Sequence, residues 1–164
     1  MKGFTFIELL IYSAIAAMML IFASGFIWQI VQYNLKIQVE EEVEQNTAFV
    51  LAKIAATIRN ASGISQPALP AEQSNVLIVD MPSDPTPIEF RISEGKITIK
   101  EGGAAAYPLT GELVETSQLR FTNLTAASAP ATIKVEIGLR YKNPANRPEY
   151  AVSANQESSI TLRY

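Results

Sequence analysis

Charged side chains are absent from a long stretch near the N-terminus of this 164-residue chain. No residue between Leu9 and Leu35 is charged, and Leu9–Trp28 is almost wholly apolar. About twenty helical residues rise roughly 30 Å, which matches the hydrocarbon thickness of a bilayer. The segment is therefore long enough to cross a membrane, and Trp28 and Tyr33 would then lie in an interfacial aromatic belt. Lys2, on the short N-terminal flank, places that end in the cytoplasm by the positive-inside rule.

The composition of the whole chain argues against several classes of function. It has 13 basic and 16 acidic side chains, of which only Lys2, Glu8 and Lys36 precede residue 40. The absence of cysteine excludes disulfides, thiolate metal sites and thiol catalysis, and the absence of histidine removes the commonest general base. A net charge of −3 gives no reason to expect nucleic acid as a partner. We expect no enzymatic activity, no bound metal and no cofactor.

Three interpretations of the apolar segment remain open. It is an uncleaved membrane anchor, a secretory signal peptide cut near Ala23–Gly25, or a segment in which Glu8 has a function of its own. The apolar run continues through Phe26–Trp28, past that cleavage region, which disfavours the signal peptide. A lone carboxylate at the edge of a membrane span is costly and requires a cationic partner, unless it lies among the headgroups in contact with water.

A short motif precedes the span. Gly3 is followed by Phe4, and Glu8 stands five places after the glycine, next to Leu9. The stretch Gly3–Leu10 with its apolar continuation resembles the class III signal of type IV prepilins and type II secretion pseudopilins. This resemblance implies that a prepilin peptidase cuts after Gly3 and methylates the new amine of Phe4. It also implies that Glu8 pairs with the Phe4 amine of an adjacent subunit in a filament.

The resemblance has two further aspects. Gly25 stands where many major pilins have a helix-loosening proline, and this departure favours a minor subunit. The C-terminal half, with a turn at Pro108–Gly111, a strand at Leu119–Phe121 and a terminal Ser159–Arg163, looks like the J-type minor pseudopilins. The chain also lacks the disulfide that closes a C-terminal loop in some pilins.

The apolar segment is followed by an amphipathic one. Val39, Val43, Val50, Ile54, Ile58 and Ala61 recur at helical spacing, and Thr47 fills the gap. No proline occurs before Pro67, so a single helix over about Phe4–Ser62 is predicted, with Gly63 as its C′ residue. The acidic cluster Glu40–Glu44 has two interpretations, a solvated helix face or a contact with basic groups of a neighbouring subunit.

Short alternating runs in the C-terminal half predict β-strands joined by turns. A linker is expected over Gln66–Asn75, and Asp80 and Asp84 are expected in a proline-rich turn. Two glycosylation sequons begin at Asn60 and Asn123. The predicted strands are residues 76–79, 88–92, 97–100, 119–124, 133–141 and 159–164, with a hairpin turn at Glu94-Gly95.

The predicted fold class is α+β, with a long N-terminal helix packed on an antiparallel β-sheet head that is pilin-like. The predicted division is a leader at 1–3, a transmembrane and filament-core helix at 4–35, an amphipathic helix at 36–63 and a β-sheet head at 64–164. The functional class expected from the resemblance is a structural filament subunit. Its expected partners are other pilin or pseudopilin subunits, prepilin peptidase, the inner-membrane assembly platform and, before assembly, the lipid bilayer. The expected location is the bacterial inner membrane, with the head outside the cytoplasm. The alternative is a single-pass tether that carries a β-domain for binding or adhesion.

Overall fold

The computed structural model describes residues 5–82, 84–127 and 129–163. They form one long helix followed by nine strands, an α+β arrangement in which all strand pairs are antiparallel. The chain divides into two compact units, residues 1–38 and residues 39–164. Helix α1 (Phe6–Arg59) contributes its first part to one unit and its second part to the other. The coarse fold class predicted from the sequence is therefore confirmed.

The end of α1 differs from the prediction. Gly63 was expected to cap the helix, but α1 ends at Arg59 and Gly63 is the first residue of strand β1 (Gly63–Gln66). The Ala61 N–H donates to the Ile58 carbonyl at 3.2 Å, a bond of the tighter i→i−3 kind. The Ser62 N–H then donates to the Asp80 carbonyl at 2.8 Å. Because of this bond between distant residues, the chain enters the sheet directly after the helix, and Gly63 does not serve as a helix cap.

The amphipathic stripe of α1 is confirmed as the part of the helix that enters the core. Val43, Val50, Ile54 and Ile58 are fully buried, together with Thr47. The Thr47 hydroxyl donates to the Val43 carbonyl at 2.7 Å. The hydroxyl is therefore satisfied within the helix, which allows a polar residue to occupy a core position.

The strands form two sheets, whereas the alternating pattern predicted one. The first has the spatial order β1-β3-β4-β5-β6 and the second β2-β7-β8-β9. In chain order, the strands after β1 are β2 (Gln73–Ser74), β3 (Leu77–Met81), β4 (Asp84–Ser93), β5 (Lys96–Glu101), β6 (Tyr107–Pro108), β7 (Val114–Asn123), β8 (Thr132–Tyr141) and β9 (Ser153–Thr161). Strand β6 is two residues long, and Pro108 has no N–H with which to continue a ladder, so the first sheet ends there. Both sheets and the second part of α1 contribute to one hydrophobic core.

Several local predictions are confirmed. Strands β4 and β5 form the expected hairpin, in which Glu94 and Gly95 have φ values of 51° and 74°. Two successive positive φ values define the turn type that matches the twist of a two-residue hairpin. Strand β8 covers the predicted 133–141 almost residue for residue. In each of these segments, the short-range hydrophobic pattern and the turn residues favour the same local structure.

Other local predictions are wrong. The expected linker Gln66–Asn75 contains the end of β1 and the whole of β2. Asp80 lies in β3 and Asp84 in β4, so neither is a turn residue. Strand β9 begins at Ser153, six residues earlier than predicted. Each of these segments is too short or too polar for alternation to reveal it, and each becomes a strand because a neighbouring strand provides hydrogen-bonding partners.

Asn46 joins α1 to the loop that follows β6. Its Oδ1 accepts the Gly111 N–H at 2.8 Å, while its Nδ2 donates to the Glu42 carbonyl at 2.8 Å. We predict that Asn46→Ala lowers the free energy of unfolding by about 1 kcal/mol, since the part-buried hydrogen bond to Gly111 is lost together with two local bonds to Glu42. Urea unfolding of the full chain in detergent micelles measures the change. Gln45→Ala, at the exposed neighbouring position, is the control; an equal loss there would contradict the assignment.

The ion pair between Lys53 and Glu101 links α1 to β5, with Nζ and Oε1 3.0 Å apart. Hydrogen bonding to Lys53 is the main cause that lowers the pKa of the Glu101 carboxyl. A lowered folded-state pKa stabilises the fold above the unfolded-state pKa, and this contribution is lost as the pH falls through the folded-state pKa. For this exposed pair we predict that Lys53→Met costs about 0.2–1 kcal/mol at neutral pH. The difference from wild type should vanish near pH 3 in the same urea assay, and a difference that persists there would contradict the ion-pair explanation.

Candidate functional site: the exposed N-terminal helix

The side chains of the first part of α1 are exposed. Among residues 5–38, every side chain is exposed except that of Glu8, which is half-buried. The large apolar side chains here are 37% exposed at Leu35 and up to 79% exposed at Phe6. Soluble monomers rarely expose so continuous an apolar surface, and such surfaces contact lipid or other proteins. The exposed helix surface is therefore the candidate functional site.

This part of α1 satisfies the length and composition required of a membrane span. Its most apolar window has a mean hydropathy of 2.2, and none of that window is buried within the chain. A cleaved signal sequence near an N-terminus has the same properties, so hydropathy alone does not separate the two. The single-pass arrangement is thus compatible with the structure, which contains no membrane.

Two serines in the apolar segment satisfy their own hydroxyl groups. Ser13 donates to the Leu10 carbonyl at 2.9 Å, and Ser24 donates to the Leu20 carbonyl at 2.8 Å. In hydrocarbon, where water cannot serve as a partner, such bonds within the helix make a hydroxyl tolerable. The apolar helix therefore carries no hydroxyl that needs an outside partner at these positions.

Gly25 is not explained by packing within the chain. A methyl group added to its Cα would meet no atom within 4 Å other than those of its chain neighbours and of the surrounding helix backbone. Gly25 also lies in helical backbone without a positive φ, so neither turn geometry nor a close internal contact requires a glycine there. The remaining effects of glycine at this position are a weaker helix and room for a close approach from outside the chain.

Glu8 lies in the first turn of α1. Its N–H donates to the Thr5 carbonyl at 3.1 Å, and the Leu9 N–H donates to the same carbonyl at 3.2 Å. The partial positive charge of the helix N-terminus favours a carboxylate in this turn. Within residues 5–82, 84–127 and 129–163, no salt bridge includes Glu8. The carboxylate is thus available to a cation from outside the described part of the chain.

Two of the three predicted site residues, Gly3 and Phe4, lie outside the described residues, so only Glu8 of the three has a described position. The geometry of the predicted processing site therefore stays a prediction. Thr5, the first described residue, contributes the carbonyl that begins the hydrogen bonding of α1.

The acidic cluster is mostly solvated. Glu40, Glu41 and Glu44 are exposed, and the half-buried Glu42 accepts a hydrogen bond from Asn46 at 3.0 Å. Among the residues that the structure describes, no three acidic side chains converge as metal ligands would. The cluster thus carries charge on the surface of α1. This exposure is compatible both with a solvated helix face and with a contact to basic groups of a neighbouring subunit.

The two sequons differ in accessibility. Asn123 is 6% exposed, and its Nδ2 donates to the Pro67 carbonyl at 3.0 Å. A buried, hydrogen-bonded amide is not available for glycosylation in the folded head. Asn60 follows the end of α1 and is exposed. The structure therefore leaves only Asn60 accessible of the two positions.

Comparison of the chain with protein-family models, with curated proteins and with solved structures finds no match in any of the three. The class that the structure itself defines is an α+β chain in which the first part of the N-terminal helix is apolar and exposed.

Proposed function

We propose that this chain is a structural filament subunit of the prepilin type, a minor pilin or pseudopilin. It is made as an inner-membrane precursor with its head outside the cytoplasm, cut after Gly3, and assembled through the first part of α1. The observation that carries this proposal is Glu8, which forms no salt bridge with any described residue and stands at the start of an apolar helix segment whose side chains are exposed.

The exposed apolar surface of the helix is suited to two successive environments. Lipid covers the apolar side chains before assembly, and the helices of neighbouring subunits cover them afterwards. Both environments are apolar, so transfer between them does not require the helix to expose these side chains to water. The serine hydroxyls at Ser13 and Ser24, bonded within the helix, suit both equally.

Glu8 supplies specificity during that transfer. Apolar contacts between helices are tolerant of axial sliding, whereas a carboxylate in an apolar surrounding has one favourable position, beside a cation. The amine of Phe4, released by cleavage after Gly3, is such a cation on an adjacent subunit. Pairing of Glu8 with that amine would set the axial register between subunits. The chain makes and breaks no covalent bond itself.

The alternative is a single-pass protein whose head binds a ligand while α1 serves as a tether. The long strand β9 at the edge of the second sheet favours a binding role for the head. A tether by itself requires neither Gly3 nor Glu8 at their positions. The two functions are compatible, since a filament subunit can also carry a binding head.

The mature N-terminus distinguishes these proposals. Mass spectrometry of the chain from its native membrane should find a polypeptide that begins at Phe4 with a methylated amine. Gly3→Val should retain the uncut precursor, because a side chain at that position obstructs the scissile bond. Ala23→Val, within the other cleavage region, is the matched control and should leave processing after Gly3 unchanged. An intact Met1 or a cut near Gly25 in the wild-type chain would overturn the filament proposal.

A further inference from the structure

The four sheet edges of this protein are not equivalent. Strands β2 and β6 are edges of two residues each, and β6 contains a proline. Strand β1 has a register shift between Ile64 and Gln66 and is followed by Pro67. Short strands, prolines and bulges are the devices by which proteins prevent unwanted strand pairing at an edge. Three of the edges therefore have such protection.

Strand β9 has none of these three devices, and its one charged side chain, Glu157, is its only feature of a kind that protects sheet edges. It pairs with β8 over nine residues, from Ser153 opposite Arg140 to Thr161 opposite Thr132, without a register shift. It contains no proline and no basic residue. In an antiparallel ladder about half of the residues of an edge strand direct their N–H and C=O groups away from the sheet. Within the described residues, no backbone or side-chain group forms a hydrogen bond to this outer edge.

The only charge on β9 is Glu157, at its centre. Its carboxylate lies 2.9 Å from the Lys134 ammonium, which also lies 3.4 Å from the Glu136 carboxylate. One ammonium thus serves two carboxylates, of which Glu136 also lies opposite Arg120 of β7, whereas Glu157 has no strand on its outer side. A basic side chain brought to the edge would give Glu157 a cation of its own.

The position of Glu157 disfavours a second copy of the chain as the partner. If two β9 strands paired about a two-fold axis over their full length, each Glu157 would lie opposite the other. Like charges directly opposite each other across a strand pair are destabilising. The other edges of a second copy are short or bulged, so they do not match nine residues either.

The core-facing side of β9 sets a second requirement for the sequence of a strand that would pair with it. Ile160 is 2% exposed, and Ala154 packs half-buried against the core, whereas Asn155, Glu157 and Ser159 are exposed. An added strand would have apolar side chains beside Ala154 and Ile160, where they extend the core, and polar side chains on the opposite face.

We propose that β9 is a docking edge for an extended segment of a different protein chain, which adds to the second sheet as an antiparallel strand. The segment alternates apolar and polar residues and carries lysine or arginine opposite Glu157. Main-chain hydrogen bonds provide the attachment, and the charge pair selects the partner. This inference concerns the head alone and does not depend on processing after Gly3 or on a filament.

Disulfide capture can test this edge because the chain has no cysteine of its own. Ser159→Cys, in the full chain in detergent micelles, provides one thiol on the exposed face. The probe is a nine-residue peptide of alternating threonine and valine with one cysteine among the threonine positions. The residue two places after that cysteine is lysine in one peptide and glutamate in the other. In an antiparallel pair this residue lies opposite Glu157 when the cysteine lies opposite residue 159.

We expect the lysine peptide to be captured roughly three to ten times more than the glutamate peptide in a thiol redox buffer, as is typical of cross-strand charge pairs. Glu157→Lys in the same background should reverse the preference. A lysine peptide with prolines at two adjacent positions should lose the advantage, because it cannot form the ladder. Equal capture of the lysine, glutamate and proline peptides would overturn the proposal. If, in the presence of the lysine peptide, disulfides form mainly between two copies of this protein, the partner of β9 is a second copy and the proposal is wrong.

Discussion

Glu8→Gln should abolish incorporation of this chain into filaments while leaving its insertion into the membrane intact. Glutamine has nearly the same shape as glutamate but cannot form an ion pair, so the amine of Phe4 on the adjacent subunit would be left unpaired in an apolar surrounding. Loss of one partner from a buried ion pair costs about 3–5 kcal/mol. At 1.4 kcal/mol for each factor of ten, this corresponds to a fall in subunit incorporation of roughly two to four orders of magnitude.

The measurement compares the amounts of the chain in sheared filaments and in the membrane fraction. Glu94→Gln is the matched control, because it makes the same chemical change at an exposed position in the β4–β5 hairpin of the head, away from the acidic cluster of α1. We expect the Glu94 variant to assemble like wild type. Normal incorporation of the Glu8 variant would refute the role of Glu8 in register, even if the mature N-terminus proved to be methylated Phe4. Loss of the Glu8 variant from the membrane as well would indicate an insertion defect instead.

Phe90→Ala should destabilise the head by about 3–5 kcal/mol, the largest stability effect that we predict for a single side chain. Phe90 lies in β4, is fully buried, and belongs to the core shared by both sheets and α1. Its truncation removes apolar burial and leaves a cavity that a tightly packed core cannot fill. A loss of this size is a large fraction of the stability of an ordinary domain.

Pulse proteolysis of the full chain in detergent micelles, over a range of urea concentrations, measures this loss. Phe49→Ala is the control, because the same substitution is made in α1 at a side chain that is 57% exposed. The midpoint of the Phe49 variant should remain close to that of wild type, whereas that of the Phe90 variant should fall sharply. Similar midpoints for the two variants would show that burial in the shared core does not determine the stability of the head.

The candidate site was only partly predictable from the residues. The charge-free segment and the lone Glu8 are properties of composition, so they are visible without any structure. The exposure of the side chains of residues 5–38 is a property of the folded chain, and composition alone does not establish it. The free edge of β9 had no sequence signal, since Ser153–Ser158 is polar and lacks the alternation by which a strand is recognised.

What the sequence determined by itself is the set of elements whose cause is local. The course of α1, its buried stripe at Val43–Ile58, the Glu94-Gly95 hairpin and strand β8 follow from periodicity and turn chemistry within a few residues. Only the tertiary structure decided that the strands divide into two sheets, that α1 ends before Gly63, and that β9 is an open edge. These features depend on hydrogen bonds between backbone groups that are far apart in the chain, such as the bond from the Ser62 N–H to the Asp80 carbonyl. Hydrogen bonds between segments far apart in the chain are set by the packing of the whole head, and no local pattern records them.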